Sequence, residues 1–231
     1  MKISERFRDV AVVGCLMILF SGMVAVLYES PWLLFFLTLP IPFVLISRFE
    51  NIQRAAKVAL VGMVLGPITE IICVAAGLWT YFETGGFPYI PVWLFAGWAC
   101  FPTALILLTK SVLNRSISAQ SMKGITVFSV FGITLQVVLF VLFGHSSMGG
   151  LIVAGSMIIA VILLLRKKET YILLLLGAFI GPLVEAIPIV AGAWSYPIVE
   201  ILSMPYYMPL AYGIFAVFVS YIASSVSFIK Y

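Results

Sequence analysis

Apolar residues fall in long unbroken runs separated by short polar connections. Eight runs can be read, at about 10–28, 32–47, 58–82, 91–109, 125–143, 149–165, 171–196 and 208–229. A helix of roughly 20 apolar residues spans the hydrocarbon of a bilayer. Backbone groups in lipid must be satisfied within the structure, which leaves helices or closed barrels. Barrel strands alternate apolar and polar positions, and these runs do not. They predict eight transmembrane helices. The second run is short and contains Pro40 and Pro42, each lacking an amide donor, so that helix is expected to kink or tilt.

The connections carry a signed pattern. With the N-terminus inside, the inner segments hold Lys2, Arg6 and Arg8; Arg48, Arg54 and Lys57; Lys110, Arg115 and Lys123; Arg166, Lys167 and Lys168; and Lys230, which are all 13 Lys and Arg of the chain. The outer segments hold Glu29, Glu83, His145 and Glu200. Positive charge inside sets the orientation, and both termini are expected on the cytoplasmic side. Four runs precede the Lys110–Lys123 connection and four follow it. Two halves with an even number of spans enter the membrane the same way round. Residues 1–115 and 116–231 are therefore read as a parallel duplication of four-helix repeats, unlike the inverted repeats of many transporters.

Composition agrees with the pattern. Of 231 residues, 63% are hydrophobic and 10% charged, with mean hydropathy +1.19, against about 25% charged in soluble domains. The chain reads as an integral protein of a prokaryotic inner or plasma membrane. Its net charge of +4 reports orientation, and no nucleic-acid partner is expected. The first run is read as a retained helix rather than a signal peptide: Glu5 and Asp9 stand among its basic flank and no small-residue cleavage site follows. Cys15, Cys73 and Cys100 lie in apolar runs without CxxC spacing, and are expected to be buried small hydrophobes.

One stretch is written twice. Gly62, Gly66-Pro67, Glu70, Ala76-Gly77, Trp79 and Tyr81 recur as Gly177, Gly181-Pro182, Glu185, Ala191-Gly192, Trp194 and Tyr196, at an offset of 115 residues. Read as continuous helix, the three-, four- and seven-residue spacing puts Gly62, Gly66, Glu70, Cys73, Gly77 and Tyr81 on one face. The small-xxx-small pairs Gly62/Gly66 and Gly177/Gly181 permit close approach of a neighbouring helix, and Pro67 and Pro182 each leave a carbonyl one turn earlier unpaired. Each copy places one carboxylate about midway to two-thirds along its span. A charge at the bilayer centre costs about 2.5–3.5 kcal/mol on insertion scales, and no Lys, Arg or His lies within a span to pair with it. Glu70 and Glu185 are therefore expected to face one interior cavity, where they share water, donors or a proton as a coupled pair. Trp79, Tyr81, Trp194 and Tyr196, in register with them, would wall that cavity or form an interfacial aromatic belt.

Gln136, polar at mid-depth in the fifth run, would donate to a carboxylate or act as interhelical glue. Glu29, Glu83 and Glu200 read as solvated, and His145 as a loop residue. A single His and scattered Cys exclude the familiar zinc and haem sites. The single Asp, Asp9, excludes paired-Asp magnesium and diphosphate motifs, so no metal and no cofactor is expected. Walker, GxSxG and HExxH motifs are absent.

The pattern Glu70–x6–Gly77–x–Trp79–x–Tyr81, followed by a Gly/Pro-rich loop and a Pro-x-Trp span, resembles the integral-membrane carotenoid hydratases of bacteria and archaea. The resemblance covers about 30 residues, Glu70–Trp98. It implies acid-assisted addition of water to an isoprenoid double bond, with Glu70, Gly77 and Tyr81 carried over and Glu185, Gly192 and Tyr196 joined through the repeat. The expected function is an enzyme using the glutamate pair as acid and base on an isoprenoid or other lipid. A proton-coupled transporter of a small hydrophobic or cationic compound and a non-catalytic membrane scaffold are the alternatives. The expected partner is a membrane lipid or hydrophobic small molecule.

Overall fold

Segments that are apolar on every face have no polar side to turn to water, and each satisfies its backbone as helix. The computed structural model describes residues 3–113 and 123–226; Lys2, Arg115 and Lys230 of the charge pattern lie outside them. The helices are α1 (Ile3–Leu27), α2 (Pro31–Thr38), α3 (Pro40–Ser47), α4 (Ile52–Ala75), α5 (Leu94–Leu113), α6 (Lys123–Phe143), α7 (Ser147–Leu165), α8 (Lys168–Ala191) and α9 (Met208–Val226). Two short strands, β1 (Thr80–Tyr81) and β2 (Trp194–Ser195), form an antiparallel ladder.

The protein is an all-α polytopic membrane protein. Among the described residues, seven helices are long and apolar enough to cross a bilayer. The eighth expected span is the shorter stretch Pro31–Ser47, broken at Leu39 between α2 and α3 where Pro40 and Pro42 supply no amide donor. At about 1.5 Å per residue it reaches some 26 Å, close to the lower limit for a span. Phe7, Phe43, Phe131, Phe179 and Val190 are exposed on the outer surface of the bundle, as expected where the solvent is hydrocarbon.

Helices α5 and α9 are the most enclosed, and α4 and α8 pack along them. Helix α1 packs on α5 and α8, and α6 on α9 and α4. Gly62 and Gly66 admit Trp98 and Pro102 of α5, whereas Gly177 and Gly181 admit Tyr212 and Ala216 of α9. The small residues thus act as the spacing suggests, letting a large side chain lie against backbone. Pro188 leaves the Val184 carbonyl without its helical donor, and the Ser21 hydroxyl of α1 donates to that oxygen at 2.7 Å. At the bundle end away from the strands, Arg48 pairs with Asp9 at 2.5 Å and Lys110 with Glu50 at 2.7 Å.

The two repeated helices end earlier than the apolar runs do. Helix α4 stops at Ala75 and α8 at Ala191, because Gly77 and Gly192 adopt φ of +77° and +92°. Leu78 N–H donates to the Cys73 carbonyl and Gly77 N–H to that of Val74; Ala193 and Gly192 repeat this with Pro188 and Ile189. These paired bonds are Schellman caps, which need a left-handed residue and so favour glycine. The reading of Gly77 and Tyr81 as members of a continuous helical face is corrected: the chain turns back at Gly77.

Candidate functional site

Glu70 and Glu185 stand within the last two turns of α4 and α8, nearer the helix ends than the midway to two-thirds position read from the runs. There the C-terminal carbonyls disfavour a carboxylate, and hydrogen-bond donors must offset that. The reversed chain brings them. Trp79 Nε1 and Tyr81 Oη donate to Glu70 Oε2 at 2.9 and 3.0 Å. Had the helix continued, Tyr81 would stand about 16 Å further along the axis, out of reach. In the second copy Tyr196 Oη donates to Glu185 Oε2 at 3.0 Å, and Tyr212 of α9 donates to Oε1. Glu70 is buried and Glu185 partly so.

The strands hold these donors in place. Thr80 pairs with Ser195 and Tyr81 with Trp194. Across the ladder, Trp79 and Tyr196 lie 5.7 Å apart at 53°, and Tyr81 and Trp194 lie 5.6 Å apart at 52°. The four aromatic residues form one layer above the two acids.

Both glutamates line a cavity of about 100 Å³ between α1, α3, α5 and α8. Leu16, Met17, Phe20, Trp93, Trp98, Phe101, Trp194 and Tyr212 form much of its wall. Trp93 is buried, and its indole N–H has no hydrogen-bond partner among the described residues. Trp98 Nε1 lies near the Glu70 carboxylate but completes no hydrogen bond. The site therefore combines an apolar wall, two acids with fixed donors, and two indole donors left over, that of Trp98 beside the Glu70 carboxylate.

Of the residues expected from sequence, Glu70, Glu185 and Trp194 line this cavity, while Tyr81 and Tyr196 reach it through the acids they bind. Trp79 binds Glu70 but lines a different space. Gly77 and Gly192 line neither; their part is the left-handed turn that returns the aromatics, which corrects their expected contact with a substrate. Gln136 is likewise not at this cavity: its Nε2 donates to the Ala211 carbonyl at 2.9 Å, joining α6 to α9. Tyr212, which bonds Glu185, and Trp98, which lies beside Glu70, are not marked as such by the repeat. Their signal was the glycine opposite each, since Gly66 and Gly181 leave room for one large ring. Two further expectations change. Glu200 is not simply solvated, for it accepts from Ser147 Oγ at 2.6 Å and Tyr206 N–H at 2.9 Å. Cys15 is exposed, whereas Cys73 and Cys100 are buried. Among the described residues no cluster of His, Cys, Asp or Glu is grouped to hold a metal ion.

A family model described as "Protein of unknown function (DUF2878)" matches residues 16–138, more than half the chain. The chain belongs to the DUF2878 family. The matched stretch of this DUF2878 chain includes Glu70, Trp79, Tyr81, Trp93, Trp98 and Gln136, while Glu185, Trp194, Tyr196 and Tyr212 lie beyond it. No curated protein matches in sequence. Two solved structures share the fold. One is a mycobacterial Insig homolog, MvINS from Mycobacterium vanbaalenii, with 16% identity and TM-score 0.63. The other is a cross-linked MvINS trimer, with 18% identity and TM-score 0.62. Each match covers 78% of this chain and 98% of the other. At that identity the similarity concerns the fold.

Proposed function

We propose that the chain is an intramembrane binding protein for an apolar lipid carrying a hydrogen-bond-accepting oxygen. The observation that carries this reading is the buried Trp93 indole N–H, unpartnered among the described residues, at a cavity whose wall is otherwise apolar. A buried donor without a partner costs about 1–3 kcal/mol, and a ligand oxygen would recover that. The nearby carboxylates are already engaged, Glu185 through both oxygens by Tyr196 and Tyr212 and Glu70 through Oε2 by Trp79 and Tyr81, and neither bonds the Trp93 indole. Ligand sites with an apolar wall and few polar groups are the common form between bundled helices.

The reading is tested with a fatty methyl ether bearing a diazirine in its chain, photolysed with the protein in phosphatidylcholine nanodiscs. Adducts on Leu16, Met17 or Phe20 that excess unlabelled ether suppresses, and that Trp93→Phe weakens, are expected. Adducts confined to the outer faces of the helices would defeat it.

A second reading is acid–base chemistry on an isoprenoid, such as addition of water to a double bond. It is favoured by the unequal surroundings of the two acids: Glu185 accepts through both oxygens, while both bonds to Glu70 converge on Oε2. Environments that differ in this way let two carboxyls divide the acid and base roles. Lipid extracts of expressing cells would then contain a product that Glu70→Gln and Glu185→Gln cells lack.

The same proposal takes residues 1–115 and 116–231 as a parallel duplication in a prokaryotic inner membrane with cytoplasmic termini. Its support is the exchange of partners in the packing, α1 on α5 and α8 against α6 on α9 and α4, together with the placement of every Lys and Arg.

A further inference from the structure

A second cavity, of about 70 Å³, lies between α4, α6 and α9 and is lined by Glu70, Cys73, Gln136, Phe140, Tyr207 and Ala211 among others. It corresponds to the first in its α6 and α9 walls, and it has no counterpart of the α3 wall formed by Ile41 and Leu45. Gln136, Val137 and Phe140 of α6 stand where Leu16, Met17 and Phe20 of α1 stand in the first cavity, with the same spacing. Tyr207 stacks on Phe140 at 5.1 Å as Trp93 meets Phe20 at 6.2 Å.

Trp98, whose indole N–H has no partner among the described residues, lines both cavities; the unpartnered polar atoms peculiar to each are of opposite kind. In the first, a donor is left over at Trp93. In the second, three donors have acceptors: Tyr207 Oη donates to the Gly144 carbonyl at 2.7 Å, Trp79 Nε1 to Glu70, and Thr69 Oγ1 to the Gly66 carbonyl at 2.7 Å. What the α6 wall leaves over is an acceptor. Gln136 is 5% exposed, and its Oε1 has no partner among the described residues. The amide orientation follows from the Ala211 carbonyl, which can only accept and so requires Nε2 on its side. A buried amide oxygen of this kind calls for a ligand that donates.

The cavity also has a route to lipid. A groove of about 310 Å³ runs between α4 and α6, shares Thr69 and Val137 with the cavity, and is walled by exposed Ile68, Ile72, Val138 and Leu142. It offers apolar surface to a hydrocarbon chain.

We infer that the α4–α6–α9 cavity is a second ligand site, which takes a single-chain lipid alcohol with its hydroxyl on Gln136 Oε1 and its chain in the α4–α6 groove. It shares Glu70, Trp98 and Tyr212 with the site of the proposed function, but its α6 wall is its own and the inference does not rest on that reading.

The test uses two photoactivatable probes, a fatty alcohol with a diazirine in its chain and the methyl ether of that alcohol, with the protein in phosphatidylcholine nanodiscs. The alcohol should give adducts on Val137, Phe140 or Cys73, suppressed by excess oleyl alcohol, whereas the ether, which cannot donate, should give at least several-fold fewer there. Gln136→Leu should reduce the alcohol adducts at these positions to the level of the ether. Adducts on the α1 wall of the first cavity report that other site separately, and a wild-type size-exclusion profile with unchanged helical circular dichroism shows that the variant is folded. The comparison of alcohol with ether in the wild-type protein needs no variant. Equal labelling of the second cavity by both probes, alcohol adducts unchanged in folded Gln136→Leu, or adducts only on lipid-facing side chains would each overturn the proposal.

Discussion

Thr80 lies directly opposite Ser195 in the β1–β2 ladder, with the hydroxyls 3.3 Å apart, and the two stand 115 residues apart, the offset at which the glutamate stretch recurs. A residue that pairs with its own counterpart lies on a local two-fold axis. The neighbouring contacts obey that axis, for Trp79 meets Tyr196 as Tyr81 meets Trp194, with nearly equal separation and tilt. The ladder thus joins the ends of α4 and α8, two helices with α5 and α9 between them, and fixes both sets of donors over the acids.

Facing Cα atoms of an antiparallel pair stand about 4.5–5.5 Å apart, within the roughly 4.4–6.8 Å that a disulfide spans. Thr80→Cys combined with Ser195→Cys should therefore cross-link on mild oxidation. Mass spectrometry of the digested protein would show the two peptides joined. Failure to join them in folded protein would contradict the ladder.

Removing one donor should loosen an acid. Tyr212→Phe deletes the bond to Glu185 Oε1, and Tyr81→Phe deletes one of the two to Glu70 Oε2. Leaving a buried acceptor short costs about 1–3 kcal/mol. Thermal unfolding in detergent should show both variants destabilised, and Tyr81→Phe less so, because Trp79 remains on the same oxygen. Equal stability of both variants with wild type would show that the donors do not hold the acids.

The helical class, the positions of the apolar runs and the two acids on one cavity were legible in the chain, because span length and the cost of an intramembrane charge are strong constraints. The reversals of the chain at Gly77 and Gly192 were not. Gly77 and Gly192 fit a small-residue stripe as well as they fit a left-handed cap, and nothing in the spacing distinguishes the two. Once Gly77 is read as a cap, Tyr81 falls off the helix and reaches Glu70 by reversal of the chain. The unpartnered donor of Trp93 and acceptor of Gln136 were illegible for another reason. Whether a polar atom is satisfied depends on the neighbouring helix, and Gln136 spends its amide group on Ala211, far away in sequence.

The glycines of the repeat separate into two kinds that mutation can tell apart. A methyl group at Gly66 or Gly181 would meet the ring of Trp98 or Tyr212, whereas at Gly14 and Gly22 it meets nothing. Overpacking of a tight contact costs about 1–3 kcal/mol. Gly66→Ala and Gly181→Ala should lower the melting temperature, and Gly14→Ala should leave it unchanged or raise it slightly. Gly77→Ala should destabilise by a different route, about 1–2 kcal/mol for a left-handed alanine, although its Cβ has open space. Wild-type stability in Gly66→Ala would refute the close approach of α4 and α5.

Alkaline pH should act through Tyr207, which precedes α9 and joins the α8–α9 connection to the α6–α7 turn through the Gly144 carbonyl. Burial, then the nearby Cys73 and Glu200, push its phenol up to about 12, against about 10 in an unfolded chain. Burial raises Tyr81 and Tyr196 in the same direction. A raised phenol means that the folded chain holds a proton the unfolded chain has lost. The associated stability is complete below pH about 10 and is lost as pH rises toward about 12. Melting temperature in detergent should therefore fall over that window, and the near-ultraviolet tyrosinate absorbance of the folded protein should lag behind that of the denatured chain. Tyr207→Phe should be less stable at neutral pH, because it loses the bond to Gly144, yet should show a shallower alkaline decline. An equally steep decline in that variant would move the alkaline sensitivity away from Tyr207.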